Sequence, residues 1–175
     1  MAHFQGNRIF QCSGDYASYK LRQEKNLLAK YYDPSFVSCK IQGSWGKQIL
    51  LCNMHFQVVG EKYHAKIAYN GFNPPKCWIV TPLIKDPQHI YKKGEALCLY
   101  DPKKNEWTHK SNLYNTFIPW CIEWVIFQML YEETGEWQHP ERHPSPFSNQ
   151  EIKDLSEKFN LSIEKIQSII DSNDF

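Results

Sequence analysis

The chain has 175 residues, 42% of them hydrophobic, with 6 Trp, 10 Tyr and 10 Phe; this excludes a disordered protein and suffices for one packed domain over residues 1–175. The formal net charge of +1 excludes an overall basic excess, so we expect no direct binding to nucleic acid. No apolar run is long enough to span a bilayer, and the start of the chain lacks the layout of a signal peptide. We therefore expect a cytoplasmic protein that does not associate with membranes.

The first elements are predicted to be a helix and four strands. Apolar side chains recur among charged ones over residues 15–32, which indicates an amphipathic helix that Asp33-Pro34 ends. Turn residues separate the four strand-like runs that follow, at 36–42, 48–59, 62–69 and 76–82. Tight turns such as Asn70-Gly71 favour an antiparallel meander with one buried face.

A long segment without clear periodicity follows the predicted sheet. It runs from Thr81 to Lys110, and several prolines and a glycine interrupt it. Irregular segments of this length inside a compact domain often carry function. The stretch HIYKKGEALCLY, residues 89–100, lies in this segment and contains Cys98.

Helical periodicity returns in the last third of the chain. Over residues 113–135, Trp120, Trp124, Phe127 and Tyr131 recur at helical spacing, and a core-facing helix explains this stripe better than a cofactor site. Two short C-terminal helices are expected after it, the first opened by a capping box of Ser148 and Glu151 and the second carrying isoleucines 163, 166 and 170. Helix, four-stranded meander, long loop, long helix and two short helices together predict an α+β fold.

Six cysteines occur singly, at positions 12, 39, 52, 77, 98 and 121. No C-x-x-C pair or zinc-type spacing is present, so we expect free thiols, no metal and no cofactor. A single cysteine is more often a small buried hydrophobe than a reactive group. Cys98 is the candidate nucleophile because it alone lies in a loop-rich segment close to a histidine and a tyrosine, His89 and Tyr91.

The order of elements and several local motifs resemble the ubiquitin-conjugating enzyme (E2) family. Pro-Pro-Lys at 74–76 is similar to the family's entry to its fourth strand, and Leu-Cys-Leu at 97–99 is similar to the stretch that holds the catalytic cysteine. His89 is similar to the histidine of the family's His-Pro-Asn tripeptide. Trp107, nine residues after the cysteine, is similar to a tryptophan that precedes the family's second helix.

The resemblance is closer to the E2-like proteins of bacterial cyclic-oligonucleotide antiphage (CBASS) operons, through HIYKKGEALCLYDPKKNEW and FIPWCIEWVIFQMLYEETGEW. It implies an E2-like fold and an acyl transferase that carries the C-terminus of a cGAS-like nucleotidyltransferase as a thioester on Cys98. No G-x-G-x-x-G or P-loop is present for activating a carboxylate with ATP, so the chain resembles the standalone type. A borrowed E1-like activating enzyme and reverse action on an existing bond are both open.

The sequence departs from the family at the tripeptide, which reads His89-Ile90-Tyr91 and lacks the asparagine expected to steady an oxyanion. The phenol of Tyr91 is a donor at neutral pH, since its usual pKa is ~10, and one hypothesis makes it the replacement. Simple packing of its ring is the alternative. We expect His89 to organise the loop rather than to act as a base, and His143 to be a solvated loop residue rather than a base for the acceptor amine.

Two other functions compete with transfer chemistry. One is a catalytically silent E2-fold module that only docks the nucleotidyltransferase. The other treats the C-terminal helices as a DNA-binding helix-turn-helix, but residues 148–175 contain 6 acidic and 3 basic side chains. A recognition helix should be basic, so this function is disfavoured.

Overall fold

The computed structural model describes residues 3–91, 94–101, 104, 106–137 and 149–166. Within these residues the elements follow in the order α1 (His3–Tyr31), β1 (Val37–Gln42), β2 (Ile49–Val58), β3 (Glu61–Tyr69), β4 (Lys76–Thr81), α2 (Phe117–Thr134) and α3 (Asn149–Phe159). The α+β class and the four-stranded antiparallel sheet are confirmed, and this arrangement is compatible with an E2-like fold. Along the part of the chain that is described, no helix is both long and apolar enough to cross a bilayer.

The first helix begins earlier than the sequence predicts, at His3 rather than at residue 15. Two glycines in the additional turns hid this extension, because each glycine in a helix costs ~1 kcal/mol relative to alanine. At Gly14 an added Cβ would lie 3.5 Å from the indole of Trp45, so that ring covers the helix there. Further along, Leu21 and Leu28 are buried in the core.

The four strands pair in sequence order, each antiparallel to the next. Along β2 every second residue from Leu50 to Val58 is buried, and the residues between them are half-buried or exposed. This period-two pattern gives the sheet one core face and one solvent face. Both α1 and α2 contact the sheet, so the core lies between the strands and these helices.

The helix α2 closes the core on the side of the long segment. Pro119 lies in its first turn, where its missing N–H costs nothing, and Gly135 ends it with a left-handed φ of 73°. The ring of Trp107 packs edge-on against Tyr69 and Phe117, with centroid separations of 5.7 and 5.1 Å. Trp107 is thus a packing anchor between the long segment, β3 and α2.

The last described residues of the chain form α3 and a helical turn at residues 163–166. The side chains of Ile152 and Ile166 are buried. Ser148 of the predicted capping box and Ile170 of the predicted last helix lie outside the described residues, as does His143.

Candidate active site

Cys98 lies at the end of a short antiparallel pairing that we call the Cys98 hairpin (residues 89–91 and 94–98). Ile90 and Leu97 form an isolated β-bridge. The Tyr91 N–H donates to the Ala96 carbonyl at 2.8 Å, and the Cys98 N–H donates to the His89 carbonyl at 2.7 Å. The sequence therefore brings His89, Tyr91 and Cys98 together, because the two halves of HIYKKGEALC fold back on each other.

The turn of this hairpin requires a left-handed backbone. Gly94 has φ 85° and Glu95 has φ 52°, and the Glu95 N–H donates to the Tyr91 carbonyl at 3.1 Å. Glycine reaches such angles without a Cβ penalty, which explains its place at the turn. Lys92 and Lys93 lie outside the described residues.

Strand β4 fixes the hairpin at two points. The Leu97 N–H donates to the Cys77 carbonyl at 2.8 Å, and the indole N–H of Trp78 donates to the Gly94 carbonyl at 2.7 Å. One contact holds the residue next to Cys98 and the other holds the turn. The hairpin is therefore attached to the β4 edge of the sheet.

The Cys98 side chain is half-buried, whereas its neighbours Leu97 and Leu99 are buried in the core. Ala96 and Tyr100 are buried as well, so Cys98 is the one half-buried residue from position 96 to position 100. The thiol lies 3.8 Å from the Tyr100 carbonyl, a distance at which it is a weak donor. Two buried leucines thus hold the backbone while the sulfur stays near the surface.

Tyr91 has a half-exposed ring, 39% accessible, and its phenol interacts with the Cys98 thiol. Burial and then a side-chain hydrogen bond with Cys98 raise the pKa of Tyr91 above its usual range, and Tyr100 and Asp101 act in the same direction. A raised pKa keeps the phenol protonated at neutral pH. Tyr91 is therefore a hydrogen-bond donor beside the sulfur.

His89 is exposed, and its imidazole stacks on the indole of Trp137 with a centroid separation of 4.8 Å and an interplanar angle of 18°. Its φ of 48° is left-handed, which is unusual for a residue with a side chain. Its carbonyl accepts the Cys98 N–H. Through its backbone, His89 thus sets the position of the cysteine.

The residues just before His89 are held by polar side chains of α2 that sequence reasoning did not single out. Gln128 is only 1% exposed; its Oε1 accepts the Gln88 N–H at 3.0 Å and its Nε2 donates to the Asp86 carbonyl at 3.0 Å. The Trp124 indole N–H donates to the Gln88 carbonyl at 3.1 Å, and the Tyr131 hydroxyl donates to the Asp86 carboxylate at 2.8 Å. The amide at position 128, within the aromatic stripe of α2, is the sequence signal that could have indicated this anchor.

The far end of the long segment is held by a buried ion pair on α1. Lys20 and Glu24 are 3% and 0% exposed, and Lys20 Nζ lies 2.7 Å from Glu24 Oε1. Lys20 also donates to the Ser111 carbonyl at 2.8 Å and to Asn112 Oδ1 at 3.0 Å, while Glu24 Oε2 accepts the Leu113 N–H at 2.8 Å. The pair therefore fixes the chain where it turns towards α2.

The other cysteines with described side chains form two pairs. Cys77 and Cys121 are fully buried with their sulfurs 3.2 Å apart, and burial raises the pKa of Cys77 well above its usual value. Cys39 and Cys52 are cross-strand partners on β1 and β2. No group of three metal-ligating side chains occurs within the described ranges.

The fold and this site correspond to one class of protein: a half-exposed cysteine follows a four-stranded meander and precedes a long helix, as in ubiquitin-conjugating (E2) enzymes. A family model described as Type II CBASS E2 protein matches residues 24–144. This match covers well over half of the chain, and the chain belongs to that family. Membership of this family supports a role of the chain in CBASS antiphage defence. A search of curated proteins gives no match.

Proposed function

We propose that this protein is an acyl transferase that carries the C-terminus of a cGAS-like nucleotidyltransferase as a thioester on Cys98. It then transfers that carboxyl group to an amine acceptor, and this conjugation regulates the cyclase. The proposal goes beyond family membership, and the arrangement of Tyr91 beside Cys98 supports it most strongly. A separate E1-like enzyme would supply the activated carboxyl group.

The chemistry consists of two exchanges at one carbonyl carbon. In the first, the Cys98 sulfur attacks the activated carbonyl, a C–S bond forms, and the bond to the leaving group breaks as that group takes up the thiol proton. In the second, the acceptor nitrogen attacks, a C–N bond forms, and the C–S bond breaks. The amine proton returns to the sulfur, so the free thiol is regenerated.

Each exchange passes through a tetrahedral intermediate with a negative oxygen. A donor aimed at that oxygen contributes roughly 3–4 kcal/mol when it is well placed. In this chain the proposed donor is the Tyr91 hydroxyl; a phenol is protonated at neutral pH at its usual pKa of ~10, and the raised pKa of Tyr91 moves it further from ionisation. His89 has a positioning role in this scheme, since its carbonyl accepts the N–H of the nucleophile residue.

The proposal is tested by co-expressing the chain with a cGAS-like nucleotidyltransferase of a CBASS operon and separating the products on non-reducing gels. We expect a conjugate that dithiothreitol removes, that is lost in Cys98→Ala, and that persists as a thiol-resistant oxyester in Cys98→Ser. Cys39→Ser is the matched control because Cys39 is the other half-exposed thiol among the described residues, and it should retain the conjugate.

A conjugate that is unchanged in Cys98→Ala would reject Cys98 as the acceptor of the acyl group. If instead the two proteins co-purify without any covalent species, and Cys98→Ala binds as tightly as the wild type, the chain is a docking module for the nucleotidyltransferase. That outcome would overturn the transfer chemistry and retain the partner.

A further inference from the structure

Two cysteines lie on the side of the sheet opposite the Cys98 hairpin. Cys39 on β1 and Cys52 on β2 are directly opposite partners in the antiparallel register. The sheet order is β1-β2-β3-β4, and the hairpin attaches to β4. This pair is therefore separate from the site of the proposed transfer reaction.

The register brings the two side chains unusually close. The His55 N–H donates to the Phe36 carbonyl at 2.8 Å, which makes 36 and 55 a hydrogen-bonded pair of the ladder. Pairs alternate along an antiparallel ladder, so Cys39 and Cys52, three positions further on, form a non-hydrogen-bonded pair. The Cα atoms of such pairs are ~4.5 Å apart, which lies inside the range that disulfides span.

The two thiols of this pair differ in exposure and in acidity. Cys39 is half-buried and Cys52 is 1% exposed. A hydrogen bond with Cys52 lowers the pKa of Cys39, and the nearby ammonium of Lys25 on α1 acts in the same direction. The pKa of Cys52 is raised by the same hydrogen bond and by burial. Cys39 is thus the more accessible and the more acidic thiol of the pair, and Cys52 is the buried thiol behind it.

We propose that Cys39 and Cys52 form an oxidisable dithiol site that hydrogen peroxide converts to a cross-strand disulfide. The Cys39 sulfur attacks one peroxide oxygen, the O–O bond breaks, and water leaves, which gives a sulfenic acid. The Cys52 sulfur then attacks the sulfenic sulfur, an S–S bond forms, and the S–O bond breaks with loss of a second water. Two thiols lose two electrons and two protons, and one peroxide is reduced.

The chain contains its own control for this proposal. The sulfurs of Cys77 and Cys121 are only 3.2 Å apart, but both residues are 0% exposed. Burial raises the pKa of Cys77 well above its usual value, which keeps it protonated and unreactive. The two cysteines are thus close together in both pairs. The pairs differ because Cys39 is half-buried rather than fully buried and because its pKa is lowered rather than raised.

The test uses the full chain with Cys98→Ala, so that the hairpin cysteine cannot exchange. Folded protein is treated with hydrogen peroxide, free thiols are blocked with N-ethylmaleimide, and tryptic peptides are identified by mass spectrometry. We expect residues 31–40 to be linked to residues 48–62, with the loss of two hydrogen atoms and full reversal by dithiothreitol. Cys77 and Cys121 should react with the maleimide only after the chain is unfolded.

Two single variants define the roles of the two sulfurs. In Cys52→Ser, oxidation should stop at a Cys39 sulfenic acid that dimedone captures. In Cys39→Ser, Cys52 should stay reduced. Oxidation should raise the melting temperature of the parent and leave that of Cys39→Ser unchanged, and the reduced forms serve as folding controls. Finding Cys39 unmodified, or a disulfide between Cys77 and Cys121 instead, would overturn the proposal.

Discussion

The meander and the segment that follows it are held in place by different kinds of interaction. The four strands pair along ladders from Val37 to Thr81, with one irregularity between His64 and Ala65, and their core face is apolar. The described part of the segment between β4 and α2 contains one isolated β-bridge and one turn of 3-10 helix, Leu113–Asn115. A few polar side chains on α1, β4 and α2 fix it instead.

The two regions should therefore respond differently to substitution. Loss of one methyl group from a buried side chain of the sheet changes contacts with many neighbours, whereas each anchor of the long segment is made by one or two side chains. Cys98 and Tyr91 depend on those anchors, because two hydrogen bonds attach their hairpin to β4 and side chains of α2 hold the residues that precede it. Substitutions at the anchors therefore distinguish the two regions.

The largest effect on stability is expected for Lys20→Met. This change leaves the Glu24 carboxylate buried without its cation, and breaking a buried ion pair costs about 3–5 kcal/mol. Urea unfolding measures the loss. Arg22→Met, an exposed change on the same helix, should cost less than ~0.5 kcal/mol. Equal losses in the two variants would mean that the pair does not anchor the segment.

The next effect is on turnover and falls on Tyr91→Phe. Removal of an oxyanion donor should lower the rate of thioester transfer by about a hundredfold, with little change in the free energy of unfolding. Tyr19→Phe is the matched control, because Tyr19 is an exposed tyrosine on α1 that takes no part in the hairpin or its anchors. Near wild-type turnover of Tyr91→Phe would show that the ring only packs.

A smaller effect is expected for Gln128→Met, which keeps the size of the side chain and removes its hydrogen bonds, including the two to Gln88 and Asp86. The Gln88 N–H and the Asp86 carbonyl then lose their partner, at a cost of about 1–3 kcal/mol in unfolding free energy. Turnover should also fall, because these residues precede His89. Gln128→Glu places a buried carboxylate against the Asp86 carbonyl and the Glu132 carboxylate, so it should cost at least as much as Gln128→Met. A Gln128→Met protein with unchanged stability and turnover would contradict this account.

The smallest effect on stability is expected for His64, on the solvent face of the sheet. Burial, and then the neighbouring His55 and Lys66, lower the pKa of His64 from its ordinary value of 6.5. The unfolded chain then binds the proton more readily, so the stability that His64 contributes is complete above pH 6.5 and is lost as the pH falls towards the lower folded-state pKa. Urea midpoints at about pH 7.5 and 5.5 measure this loss. His64→Gln should reduce the difference, and an unchanged difference would exclude His64 as its source.

The sequence predicted the sheet well and the anchors poorly, for the same physical reason. Strand positions follow from period-two burial and turn residues, both of which are local signals. The ion pair of Lys20 and Glu24 joins α1 to residues about ninety positions away, and on sequence alone both look like solvated helix charges. Gln128 likewise lies within a stripe of aromatic residues that predicts a core-facing helix and does not indicate an anchor for the long segment.

The candidate site divides in a similar way. Cys98, His89 and Tyr91 were selected from one short stretch, and the hairpin brings all three together because they are close in sequence. The cross-strand position of Cys39 and Cys52 depends on register, which the sequence of two separate strands does not fix. His89 and Trp137, which stack on each other, lie before and after α2 in the chain, so no local sequence pattern indicates their contact.

The most direct test of the central claim is mass spectrometry of the protein co-expressed with the proposed nucleotidyltransferase partner and isolated without reductant. We predict that the tryptic peptide covering residues 94–103 carries the C-terminal residues of the nucleotidyltransferase on Cys98, through a bond that hydroxylamine cleaves. If that peptide contains only a free thiol while the nucleotidyltransferase is attached to a different residue of this chain, the account is contradicted.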